Sequence, residues 1–598
     1  MANKSTVVTK DIDLVSLVVT VGGKELGERF QLVEVEVKKE VNKIPTATVI
    51  VLDGSPHKVE FKSADSNPFK PGDEVKISAG YHQKTKVLFE GIVQSHNGKV
   101  KGNEISEVVL KCVDKAIKLT LEPKNENFAD MTDADIFRKV LGGFAGKIEA
   151  TTEKHERMVK YSSTAWDFAL MRAEVMGLIL VVDKGKVNVV KPTVSGPALT
   201  LTYGTDIIKM DVDVDAKNQV KKVTAEGWDY SKNQIVVKTA KEPTVPKAGD
   251  MDGVALSGKS SGGGDIKLNS NGPILSSYLQ RWADSVLLRR RLGTFQGNVH
   301  IQGSADINHD NVVTLNGVAR HLKGDHYVGG VKHTIKDSDW NTTIMIGLDS
   351  KFFSDRQNGN STQAAPAAGM APALSGLQIG TVQKIHADPQ GETRVLVDIP
   401  VITAKGDGLW ARLGTNYATK KAGFFTYPEI GDEVVCGFLN EDPRFPIILC
   451  SVPGKSHETA YTPDDKNTYK AFTSNSKMKI EFEDVKKILT IWTPNKNYMI
   501  FSDDKGSITI EDENKNKMVM DSKGINFYTP FDFVVKADGN IKMESKMKTE
   551  LKAKMDFSIE SSMNVNNKAS IANTMKGATC EVNGSGMTTI KGGVVMIN

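Results

Sequence analysis

Apolar and polar residues alternate from residue 11 to about 120, in QLVEVEVKKEV, TATVIVLDG, DEVKISAGY, KVLFEGIVQSHN and SEVVLKCVD. Period-two alternation broken by Gly, Asp and Asn predicts β-strands with one solvated face. The spacing turns helical over 131–145, with Thr132 as N-cap, and again over 163–177. In that second helix Ser163 is the expected cap, Trp166, Ala169, Leu170 and Ala173 form the apolar stripe, and Gly177 ends it. LILVVDKGKVNVV predicts a hairpin around Asp183–Lys184–Gly185. Residues 243–272 predict a loop, and 276–292 the longest helix, closed by Gly293. Strands follow, then a small, polar, Pro/Ala-rich linker at 354–375. Residues 377–452 have turns every eight to twelve residues, the pattern of a small β-barrel.

The last hundred residues follow a different period, of eight. Phe531, Met547, Met555, Met563, Ile571, Met587 and Val595 lie on one grid, with Gly539 and Thr579 in its gaps. A second column reads Ile525, Phe533, Ile541, Thr549, Phe557, Val565, and a third Phe527, Val535, Met543, Leu551, Ile559. Self-similarity at a fixed period marks a solenoid or fibre. Short strands cannot bury such columns within one chain, and their edges would stay unpaired. The columns are therefore expected to form a core between identical chains. That core is assigned Phe533, Ile541, Met543, Met547, Leu551, Met555, Phe557, Ile559, Met563, Val565, Ile571 and Met587. Val594, Val595 and Ile597 would leave an apolar tip that invites a partner.

A chain of 598 residues exceeds one core, so three or four domains are expected. The net charge of +4 is small and the lysines are scattered, which argues against nucleic-acid binding. The N-terminus lacks the pattern of a secretory signal, and no run of eighteen apolar residues occurs. Cys112, Cys436, Cys450 and Cys580 form no CxxC pair and read as small buried residues in a reducing compartment.

Candidate chemistry is sparse. Asp211, Asp213 and Asp215 alternate as one solvated strand face would. Asp306, Asn308 and Asp310 lack the following Glu of a calcium loop. His321, His326 and His333 match no helix face and read as structural. Ser261–Gly264 reads as coil, without the strand and helix of a phosphate loop. Glu481 and Glu483 point one way from a strand, with no cleft to make them a glycosidase pair. No catalytic residue, metal ligand or cofactor is expected.

YPEIGDEVVCGFLNEDPRFPIILCSV at 427–452 resembles the OB-type barrel of VgrG-type spike proteins of the type VI secretion system, themselves similar to the fused hub and spike of contractile phage tails. Pro428, Glu429, Gly431, Asp432, Glu433, Phe438, Asp442, Pro443 and Pro446 fit the motif, and Cys450 stands where Gly is usual. STAWDFALMRAEVMGL and DHYVGGVKHTI resemble hub segments of the same family.

The resemblance implies a mainly β protein with a β-barrel hub carrying a few helices at 1–355, a linker at 356–376, an OB-fold-like barrel at 377–455 and a trimeric triple-stranded β-prism needle at 456–598. It implies a homotrimer, a non-enzymatic membrane-puncturing spike that delivers effectors. The implied partners are an Hcp-type tube protein, baseplate components, a PAAR-type tip protein, an effector or adaptor and, transiently, the target membrane. Assembly would be cytoplasmic, followed by secretion or injection. A phage-tail or extracellular contractile device uses the same parts. A spike-fused cell-wall hydrolase would need an insert that 453–470 is too short to hold, and a toxin domain would need residues beyond Lys591–Asn598. An adhesive fibre would need a signal peptide.

Overall fold

The computed structural model describes residues 14–597 except 28–29, 56–57, 59, 62–68, 101–105, 230–233, 258–263, 271–273, 358–364, 401 and 403–406. The N-terminal stretch 1–13, Ser261–Gly263 of the glycine run and 358–364 of the linker thus lie outside the described residues. The chain divides into two compact units, 1–459 and 460–598.

In the first unit the alternating segments form one thirteen-stranded sheet. Leu32–Glu40, Thr46–Leu52 and Glu107–Val113 pair antiparallel, with Val35 opposite Val49 and Val49 opposite Leu110. One face carries these side chains into a core with Ile77, Phe89 and Trp340. Cys112 faces the same core, and burial pushes its thiol up to about 12. Gly324–Lys336 runs beside Leu32–Glu40 with Val331 opposite Lys39. A Cβ on Gly329 would stand 2.0 Å from the Gly347 carbonyl, so only glycine fits there.

Helix α1 (Asp133–Leu141) is capped by Thr132, whose Oγ1 accepts from the Asp135 amide at 3.2 Å. Helix α2 (Ala165–Val175) is capped by Thr164, not Ser163: the Thr164 Oγ1 accepts from the Asp167 amide at 3.0 Å, while Ser163 ends the strand Lys154–Ser163. The Lys184–Gly185 turn has positive φ at both residues, as a two-residue hairpin requires. Helix α3 spans Ser276–Leu292. The expected loop at 243–272 contains structure: Ile266–Ser270 adds parallel to Val223–Asp229, which also pairs with Gln234–Thr239.

Residues 378–384, 395–398, 409–413, 433–438 and 446–451 close into a five-stranded barrel. Val382, Val395, Val397, Leu409, Ala411, Val434, Cys436 and Ile448 fill it. Its motif residues are turn chemistry. Asp432 accepts from the Glu429 amide at 2.9 Å, and Asp442 holds Arg444 through Nε at 2.9 Å and Nη2 at 2.6 Å. Val159 and Leu374, from outside the barrel, belong to the same apolar cluster. The described end of the expected linker is therefore packed. Met370 and Ala371 are buried, and Arg172 Nη1 donates to the Met370 carbonyl at 2.8 Å.

The second unit opens with seven five-residue strands, Tyr469–Thr473 through Gly524–Tyr528, in an antiparallel meander. The prism expected over 456–598 is an arrangement of three chains; within one chain its first part forms this meander. Its hairpin loops are four to five residues long until the last, which shortens to Lys523 and its neighbour, so the eight-residue period has no foothold before 525. From 529 to 597 no strand pairing occurs among the described residues.

Candidate functional site

The meander carries a continuous apolar face. Cross-strand register aligns Phe472, Ile480, Ile491, Met499, Ile510, Met518 and Phe527 in one row. Phe482, Leu489, Phe501, Ile508, Met520 and Ile525 form the adjacent row. Residues two apart in a strand share a face, so both rows lie on one side. Phe472, Ile480, Phe482, Ile491, Phe501, Ile510, Ile525 and Phe527 are all exposed in the single chain. Short strands and alternating loop lengths hide this face from a periodicity reading of the sequence. The signal was there in KIEFE, SITIE and KMVMD.

The opposite face is mixed: Ile488, Trp492, Ile500 and Val519 share it with charged and hydroxyl groups. Glu481 accepts from Lys479 Nζ at 2.5 Å and from the Tyr461 hydroxyl, and Glu483 pairs with Lys486 at 3.1 Å. Burial and then the neighbouring Glu483 raise the Glu481 carboxyl. Tyr498 donates to Glu511, and burial with that carboxylate pushes its hydroxyl up to about 12. These carboxylates are bound into a surface network.

Beyond the meander the backbone bends at 530–531, 538–539, 546–547, 554–555, 562–563 and 570–571, once every eight residues. The first grid column sits on those corners. Three of the corners are tied by hydroxyls: the amides of Phe531, Met547 and Met563 donate to the side-chain oxygens of Thr529, Ser545 and Ser561 at 3.0, 3.3 and 3.3 Å. The other two columns occupy the straight runs between.

Every residue from 531 to 597 is exposed in the single chain. On the corners Met547, Met555, Met563 and Ile571 are 88–99% exposed, and Met587, just past the bend at 585–586, is 84% exposed. Phe533, Ile541, Met543, Leu551, Phe557, Ile559 and Val565 are 52–77% exposed. Phe533 reaches the meander, its ring 6.0 Å from that of Phe527 beside a cavity of about 740 Å³. Val594, Val595 and Ile597 are exposed at the end of the described chain. An exposed apolar surface of this extent marks an interaction surface.

The other candidate residues hold structure. Asp211 and Asp213 are exposed on one strand, and Asp215 accepts from the Lys217 amide. Asp306 pairs with Lys86, and Asp310 accepts from Thr193 and Tyr327. His321 bonds Asp250, His326 the Leu322 carbonyl, and His333 the Thr342 hydroxyl, so the three do not converge. Cys112 and Cys436 are buried as expected, whereas Cys450 and Cys580 are exposed. Cys450 faces outward because it stands opposite Val435 on the barrel's outer side.

A family model described as the Alg8 N-terminal domain matches residues 11–337. A second, described as the type VI secretion system/phage-baseplate injector OB domain, matches residues 378–452. No curated protein matches the chain. Among solved structures, the half-lidded Francisella PdpA–VgrG complex aligns at TM-score 0.50 and 12% identity, over 86% of this chain and 88% of that one. The lidded form aligns at TM-score 0.50 and 12% identity, over 86% and 80%. The E. coli c3393 protein, described as a component of the type VI secretion system, aligns at TM-score 0.45 and 11% identity, over 73% and 99%.

Proposed function

Because the chain belongs to the Alg8 N-terminal domain family and carries an injector OB domain on a VgrG-like fold, we propose that it is the trimeric spike of a contractile injection machine. The observation that carries this reading is the unbroken exposure of the apolar columns from 531 to 597. No element among the described residues covers them, and winding identical chains about one axis would bury all three columns and pair their backbone. The account rests on mechanics. Mutual burial makes the shaft stiff, and contraction of an outer sheath drives it through a membrane.

In this reading the first unit seats on an Hcp-type tube protein and the baseplate, and the barrel helps hold three chains together. The apolar tip of Val594, Val595 and Ile597 takes a PAAR-type cone, and an effector or adaptor rides on the spike. Assembly is cytoplasmic and release follows firing. No residue is catalytic and no cofactor takes part. The OB model's description spans secretion systems and phage baseplates, so the reading is of the injector class. The test is the molecular mass of the purified chain and a turnover assay on peptidoglycan and lipid. A monomer, or a robust hydrolytic rate, overturns it.

A further inference from the structure

A cavity of about 530 Å³ lies in the first unit where the hub strands and α3 meet the barrel. Ligand sites favour such junctions, and this volume suits a small organic molecule or a single residue with its flanks. Its walls mix apolar and charged surface: Val236 from the three-stranded sheet, Leu409 and Trp410 from a barrel strand and Phe445 from the turn before the last strand stand beside His155, Glu156 and the Arg394 guanidinium, which lies 6.0 Å from the Trp410 ring.

Two polar groups on this cavity are left over from the protein's own bonding. The Arg444 side chain is 7% exposed, and Asp442 takes its Nε and Nη2, leaving Nη1 without a hydrogen bond among the described residues. The Glu392 Oε2 is buried with no hydrogen-bond partner, 3.9 Å from an Arg394 that already serves Asp388 and Glu156. The buried Glu392 oxygen loses solvation without recompense until a donor reaches it, and Arg444, which lines the same cavity, keeps its Nη1 edge free to donate. Arg157 adds a further guanidinium to the lining.

We propose that this cavity binds an apolar α-amino acid unit with a free carboxylate. The carboxylate accepts from Arg444 Nη1, the nitrogen donates to Glu392, and the side chain lies against Trp410 and Phe445. A free amino acid and the C-terminal residue of a polypeptide share this chemistry. Charge-assisted bonding to a desolvated guanidinium makes the carboxylate the discriminating group.

The experiment is calorimetric titration of the full-length protein with L-phenylalanine, N-acetyl-L-phenylalanine and L-phenylalanine amide. Both acids are expected to bind saturably, and the amide at least about tenfold more weakly. The tighter of the two acids identifies the source, free amino acid or chain end. Trp410→Ala should weaken both acids about tenfold while leaving the assembly state unchanged. Arg444→Lys, which keeps the charge but loses the planar edge, should abolish discrimination between acid and amide. Equal affinity for acid and amide overturns the proposal. So does no saturable heat up to about 20 mM probe, the result expected if another copy fills the cavity in the assembly. Neither result depends on the spike reading.

Discussion

Replacing Met555 and Met563 together by Asp in a 460–598 fragment tests the shaft at its most exposed column. In one chain these side chains are 90% and 88% exposed, so nearly all of their burial has to come from other copies. Burying a Met side chain contributes about 1.5–3 kcal/mol, which for two sites in three chains is roughly 9–18 kcal/mol of gross stabilisation. Each Asp also brings two symmetry copies of its own charge to the same level of the axis, and desolvating a charge costs several kcal/mol per ion. The two effects have the same sign and together exceed what a trimer of this size can absorb. Sedimentation equilibrium should show a trimer for the parent fragment and a monomer for the double variant. A variant that stays trimeric would mean that the corner column faces solvent. Repeating the test with Phe557→Asp and Val565→Asp, on a straight run, would then show whether the remaining columns carry the core.

Three further outcomes concern the first unit. Arg172→Met leaves Asp133 buried without its bidentate partner, whose Nε donates to Oδ1 at 3.0 Å and Nη2 to Oδ2 at 3.1 Å, and should cost about 3–5 kcal/mol in chemical denaturation. Burial, reinforced by Lys39, holds His333 neutral with its pKa lowered to about 3, and burial with Lys39 against Asp183 lowers His309 to about 4. A lowered histidine binds fewer protons folded than unfolded below about pH 6.5, so each such group makes stability fall by up to about 1.4 kcal/mol per pH unit. Melting temperature should therefore drop from pH 6.5 to 4.5, and less steeply in His333→Gln. The Cys112 and Cys436 thiols, both buried and raised to about 12, should resist alkylation until the protein unfolds.

The strands of the hub and barrel could be read from alternation because each has one dry face, and α3 from its capping glycine and apolar spacing. What escaped were features set by other parts of the chain. Thr164 outcompetes Ser163 as a cap only because the strand Lys154–Ser163 runs to the helix. The linker's burial depends on Arg172, nearly two hundred residues earlier, reaching the Met370 carbonyl. The eight-residue columns were plain in the sequence, yet their division into corners and straight runs needed the backbone. The apolar face of the meander was hidden by the uneven hairpin loops, although its residues alternate as any half-buried strand would.

The account's central claim is that the columns are a core shared among chains. The most direct measurement is the mass of the full-length protein in dilute solution, by sedimentation equilibrium or mass photometry. The account predicts a single species at three times the 65.1 kDa chain mass. A stable, folded species at 65.1 kDa would contradict it.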